Sequence, residues 1–209
     1  MQNHKLREFV ELSFFVALIF IMTFVPFTGY IPLGPINATT IHIPVIIGSI
    51  VFGPKKGALL GFMFGLSSLI KNTFMPSSAS AFVFSPFYSV GGMSGNGWSL
   101  VICFVPRILV GIVPYYVNVG LKKLKTPETV SMAFAGLLGS LVNTLLVMHF
   151  IYLFFASGYA TVMNQPLQTL YLFIMGIILA NGVPEAVVAA VLTVIIAKAI
   201  LTFQRRRVS

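Results

Sequence analysis

The sequence predicts an all-α membrane protein with six transmembrane helices, and three observations carry that expectation. Hydrophobic residues make up 57% of 209 positions against 8% charged, and aspartate is absent, leaving too few polar groups to cover a water-soluble domain. The apolar residues fall into six runs separated by Gly-, Pro-, Asn- and Ser-containing stretches. The cations gather on one side of those runs: Lys5, Arg7, Lys55, Lys56, Lys122, Lys123, Lys125, Lys198 and Arg205 to Arg207 are eleven of the 13 lysines and arginines. Cytoplasmic loops hold such an excess, so both termini are expected inside. The formal charge of +9 then reads as a topology signal in a protein whose partner is the lipid bilayer, not as a nucleic-acid surface.

The first run, Leu12 to Phe27, is long, ends in aromatic residues and proline, and is followed by no small-residue cleavage site, so it reads as a retained helix and not a signal peptide. Helix two is expected over about 41–52 and helix three over 57–70, with Gly53, Pro54, Lys55 and Lys56 as the turn between them. Helix four is placed at about 98–121, helix five at 130–156 and helix six at 170–203, in one transmembrane domain covering 1–209. At ~1.5 Å per residue, helices two and three reach only about 18 and 21 Å, short of the ~30 Å apolar layer. Irregular backbone at that depth must be buried in protein or line a cavity, and segment 31–40 is assigned to that place. The long loops after helices one, three and five (28–40, 71–97 and 157–169) carry one charge, Lys71. The stretch 72–97 is uncharged, aromatic and too long for a plain connection, which points to a lid.

Absent motifs remove most enzyme classes. No Gly-x-x-x-x-Gly-Lys-Ser/Thr run is present, and the lack of Asp, with three His and one Cys, predicts neither a metal nor another cofactor. Gly92-Met93-Ser94-Gly95 resembles the Gly-x-Ser-Gly of rhomboid intramembrane proteases, but helix six holds no histidine to act as base, and the chain is expected not to be an enzyme. The residues that do draw attention are ionisable groups inside apolar helices, which cost about 2.5–3.5 kcal/mol each on insertion scales. Arg107 in helix four and Glu185 in helix six lie at similar depth, with Asn143 of helix five near that level and Asn181 one turn from Glu185 on the same face. Pro184 loosens the helix between them. Either Arg107 and Glu185 form a buried bridge with the amides joining helices, or the four line a polar cavity. Four polar groups on three helices, facing two incomplete ones, favour the cavity. Lys71, Asn37, His42, Asn96, Tyr88 and Trp98 complete the substrate-binding candidates, each with a plainer role at hand: helix capping beside Thr39 and Thr40, snorkelling, or interfacial anchoring. Small-residue stripes, Gly57-x-x-x-Gly61-x-x-x-Gly65 and Ser13-x-x-x-Ala17, serve either internal packing or docking of a membrane partner.

Residues 35–50 (PINATTIHIPVIIGSI), 52–61 (FGPKKGALLG) and 82–87 (FVFSPF), with Pro106-Arg107, resemble the substrate-binding S components of energy-coupling-factor (ECF) transporters, most closely their pantothenate branch. The resemblance implies a six-helix S-component bundle in a prokaryotic cell membrane, acting as a high-affinity vitamin-binding subunit. It further implies assembly with a transmembrane coupling protein and two cytoplasmic ATPase subunits. In that family a small-residue stripe on helix one, often Ala-x-x-x-Ala, meets the coupling protein; here it reads Ser13-x-x-x-Ala17. Pantothenate, with one carboxylate plus amide and hydroxyl groups, needs a cation such as Arg107 or Lys71 and neutral hydrogen-bonding partners. Pyridoxine and hydroxymethylpyrimidine would lean on ring stacking, and folate on more positive charge. A membrane enzyme or scaffold with a buried ion pair is the reading from another class.

Overall fold

A computed structural model describes residues 2–26, 28–33 and 36–206, with the side chains of 2–5, 31–33, 36–38 and 205 outside that description. The helices are α1 (Gln2–Phe24), α2 (His42–Phe52), α3 (Pro54–Phe74), α4 (Gly97–Lys123), α5 (Glu128–Val162), α6 (Leu170–Ile177) and α7 (Val183–Arg206). A π-helical turn over Ile178–Gly182 joins α6 to α7. Two small antiparallel hairpins interrupt the loops, β1 (Tyr30–Leu33) with β2 (Ile36–Thr39), and β3 (Ser89–Val90) with β4 (Met93–Ser94). Three helical segments, α4, α5 and 167–204, are long and apolar enough to cross a bilayer. Leu153, Leu172 and Leu179 on them are two-thirds or more exposed, as lipid-facing side chains are.

The break between α2 and α3 falls at Gly53, whose φ of 90° suits only glycine, and Pro54 then occupies the first turn of α3. α2 has 11 residues, about 16 Å, and is short as expected. α3 is not: its 21 residues run about 31 Å, correcting the expected 57–70. The polar residues that looked like loop continue the helix because they bond to it. Asn72 Nδ2 donates to the Ser68 carbonyl at 2.8 Å, and Thr73 Oγ1 to the Leu69 carbonyl at 2.7 Å. Likewise α5 runs six residues beyond the expected 156, kinked at Phe155 (φ −132°). Tyr159 and Ala160 are buried in the cluster around Phe82, Ile102 and Ile174, and that burial extends the helix through what reads in sequence as loop.

A second cluster, with Ile46, Leu60, Phe64, Val110 and Met132, fills the space between α2, α3, α4 and α5. Here the glycine stripe of α3 finds its use. A Cβ at Gly57 or Gly61 would collide with the backbone carbonyl of Gly111 or Arg107, and one at Gly65 would press on the Phe104 ring. Gly57, Gly61 and Gly65, candidates for partner docking, therefore face α4 inside the chain: close helix approach has consumed the stripe. Ser13 and Ala17 remain on an exposed face of α1.

Candidate functional site

A cavity of about 90 Å³, measured as the space open to the centre of a water molecule, lies among α3, α4, α5 and the α6–α7 rod. Arg107, Glu185, Asn143, Asn181 and Lys71 all line it. Tyr30 and Thr39 of the β1–β2 hairpin, Ser77, Ser78, Ser80 and Phe84 of the segment after α3, Ser68 and Asn72 of α3, and Thr144 and Tyr159 of α5 line it too. That segment is folded, with a 3₁₀ turn over Ala79–Val83 that buries Phe82.

Arg107 is aimed by its neighbour in sequence. Pro106 has no N–H, so the Ile102 carbonyl four residues back loses its helical donor. The Arg107 guanidinium takes that place, with Nη1 donating to the Ile102 carbonyl at 2.6 Å. The group is thereby held 5.4 Å from the Phe64 ring centroid and 4.9 Å from that of Phe84, distances at which an aromatic face stabilises a cation. Its Nε is buried without a partner among the described residues.

Glu185 does not pair with Arg107. Its Oε1 accepts the Thr39 main-chain N–H at 2.8 Å, and its Oε2 the Thr144 hydroxyl at 3.4 Å. Pro184 cannot donate to the Ala180 carbonyl, and next to this lost bond the helix widens into the π turn that carries Asn181. Lys71, expected either to snorkel or to attract an anion, is 9% exposed, with Nζ 5.3 Å over the Tyr30 ring. Neither cation nor Glu185 has an ion-pair partner among the described residues. Asn143 Oδ1 and Tyr159 Oη, both bordering the cavity, are likewise buried without a partner among those residues. Each such atom costs about 1–3 kcal/mol, a cost that a ligand offering complementary groups offsets.

Other candidates fall elsewhere. Asn96 caps α4, its Oδ1 accepting the Trp98 N–H at 2.9 Å, with Ser99 Oγ accepting the Asn96 N–H at 3.2 Å, and it does not line the cavity. Trp98 is half exposed and stacks on Phe154 at 4.2 Å and 7°, as an interfacial anchor does. Tyr88 packs on the Phe82 cluster, and His42 is buried at the start of α2; neither lines the cavity. Asn37 pairs with Pro32 in the hairpin register, and its side chain lies outside the described residues. Beyond the residues singled out in the sequence, Ser68, Asn72, Thr144 and Tyr30 line the cavity. Ser68, Lys71 and Asn72 stand at i, i+3 and i+4, a polar stripe on an apolar helix that was a legible signal.

Comparison with known proteins places this geometry. The profile of the family described as "ECF transporter, substrate-specific component" matches residues 7–197. The chain is 36% identical over 203 residues, 96% of each chain, to the "Pantothenic acid transporter PanT" of Lactococcus lactis subsp. cremoris (strain MG1363). It is 28% identical over 213 residues, 99% of this chain and 98% of the other, to the "Pantothenate transporter PanT" of Leuconostoc mesenteroides subsp. mesenteroides. Its fold resembles the crystal structure of the S-component for biotin from an ECF-type ABC transporter, with a TM-score of 0.55 and 18% identity over 95% of this chain and 94% of that one. The matched family and relatives are transporter components and not enzymes. Ser94, of the protease-like tetrapeptide, sits exposed on the two-residue strand β4. By the family profile over most of its length and a 36% identical full-length relative, the chain belongs to the ECF transporter substrate-specific component family.

Proposed function

We propose that this chain is the high-affinity pantothenate-binding subunit of an ECF-type importer in a prokaryotic cell membrane. It crosses the bilayer six times, counting α6 and α7 as one span, with both termini on the cytoplasmic side, as the positions of its cations favour. A transmembrane coupling protein docks on the face of α1 that carries Ser13 and Ala17, and two cytoplasmic ATPase subunits hydrolyse ATP.

The observation that carries the ligand is the charge inventory of the cavity: two cations, Arg107 and Lys71, against one carboxylate, Glu185. One added negative charge brings the site to neutrality. An uncharged vitamin leaves a buried positive charge uncompensated, and a dianion such as folate overshoots. Pantothenate, the ligand in the names of both relatives, is a monoanion with an amide and hydroxyls. Its carboxylate sits against the guanidinium, where two parallel N–H bonds are available, with Lys71 as the second cation. Asn143 and Asn181 serve its neutral polar groups.

Calorimetric titration of the purified chain with pantothenate, biotin, pyridoxine and folate tests this reading. Saturable one-to-one binding of pantothenate, with none of pyridoxine or folate, is expected. Biotin, also a monocarboxylate, tests whether the cavity reads more than charge. An absence of pantothenate binding overturns the vitamin assignment while leaving the family intact.

A further inference from the structure

Glu185 holds more than one element in place. Through the Thr39 N–H and the Thr144 hydroxyl it ties α7 to β2 and to α5. Thr39 is the register partner of Tyr30 in the hairpin. Tyr30 is secured on the other side, its hydroxyl donating to Ser68 Oγ at 3.4 Å while Lys71 lies over its ring. One rung of the hairpin is therefore strung between α3 and α7. All five of these residues, Tyr30, Thr39, Ser68, Lys71 and Glu185, line the cavity, so the rung forms part of its wall.

An ionised carboxylate offers about four acceptor positions, and two are occupied here. Glu185 lines the cavity, and its remaining acceptor positions are those a ligand there can use. Because the same carboxylate repels a ligand's acid group while Arg107 and Lys71 attract it, the site imposes a direction: acid toward α3 and α4, uncharged donors toward α7. We propose that Glu185 is a specificity-determining residue that reads hydroxyl donors at the uncharged end of the ligand and, through Thr39, couples their presence to the order of the β1–β2 hairpin. A ligand that fixes the carboxylate removes the freedom otherwise lost in holding Thr39, so the two contacts reinforce each other. This rests on the pantothenate reading and adds to it an orientation and a wall that responds to the ligand.

The test titrates the purified chain with pantothenate and with its analogue lacking both hydroxyls, and follows hydrogen exchange in the peptide containing the Thr39 amide. Wild type is expected to prefer the hydroxylated ligand by about tenfold or more, the range for hydrogen bonds to a charged group. In Glu185→Gln, which can still accept from Thr39 but has lost its charge, that preference shrinks to about threefold or less. Pantothenate slows Thr39 exchange in wild type, and Glu185→Ala abolishes the slowing. Equal wild-type affinity for the two ligands, or a full preference retained by Glu185→Gln, overturns the proposal while pantothenate binding stands. A wild-type chain that binds neither ligand overturns this proposal and the vitamin reading together. Should Glu185→Gln fail to fold, Glu185→Asp, which keeps the charge and withdraws it by one methylene, is the second variant: the hydroxyl preference is expected to fall, and a full preference retained overturns the proposal.

Discussion

At the end of the bundle that carries the lysine pairs, three of the four glutamates each meet a cation: Arg7 with Glu11 at 2.7 Å, Lys56 with Glu8 at 2.6 Å, and Lys122 with Glu128 at 3.0 Å. At the loop end, Glu185, Arg107 and Lys71 share one cavity with no ion pair among the described residues. The paired side chains are 30–40% exposed and contribute about 0–1 kcal/mol each. Of the unpaired ones, Arg107 and Lys71 are buried and cost more than that to keep. The chain thus matches its three half-exposed glutamates with cations and leaves its two buried cations without a carboxylate partner among the described residues, the contrast on which the proposed anion site rests. Between the two ends, the α3–α4 glycine seam sets the backbone on which Arg107 is mounted.

The largest effect is expected where the seam and the site meet. In Gly61→Val the new Cβ drives into the Arg107 carbonyl, an overpacking that costs about 1–3 kcal/mol and displaces the arginine. Thermal unfolding in detergent should show a lower Tm, and titration no pantothenate binding. An unchanged Tm would break the link between seam and site. Lys71→Met comes next. Affinity for pantothenate falls by about tenfold, one charge-assisted contact, while the ligand-free chain gains stability because a poorly solvated ammonium has gone. Loss of stability instead would show that Lys71 is structural.

Pro106→Ala sharpens the comparison further. It restores a main-chain donor for the Ile102 carbonyl and releases the guanidinium from its 2.6 Å bond. Affinity for the carboxylate ligand should drop by about three- to tenfold, less than one full charged hydrogen bond, with Tm unchanged or raised; unchanged affinity would show that Arg107 needs no such aiming. The smallest effect on binding is predicted for Thr193→Val, outside the cavity. Its hydroxyl is buried without a partner among the described residues, so the isosteric replacement removes that atom's desolvation cost and should raise stability by about 1 kcal/mol while leaving titration unchanged.

Hydropathy and cation placement made the helices legible, because lipid imposes one rule on every residue that faces it. Boundaries went wrong where polar residues serve a helix from within, as Asn72 and Thr73 do in α3 and Tyr159 does in α5. That Arg107 and Glu185 line one cavity was legible because such residues are expensive inside apolar helices, and the place of Asn143 and Asn181 beside them followed from their depth. Asn96 and Trp98 misled because a residue type alone does not reveal that a neighbour already uses it: the Trp98 N–H occupies Asn96, and Phe154 covers Trp98. Tyr30 and Thr144 lack any local pattern, and only the tertiary approach of the hairpin and α7 brings them to the cavity.

The most direct test of a cavity built for a monoanion compares pantothenate with its carboxamide analogue on wild type and on Arg107→Ala. The expected result is a loss of about 100-fold for the carboxylate, two charge-assisted hydrogen bonds' worth, and less than about threefold for the amide. Equal losses for the two ligands would show that Arg107 supports the fold and does not receive the ligand's charge.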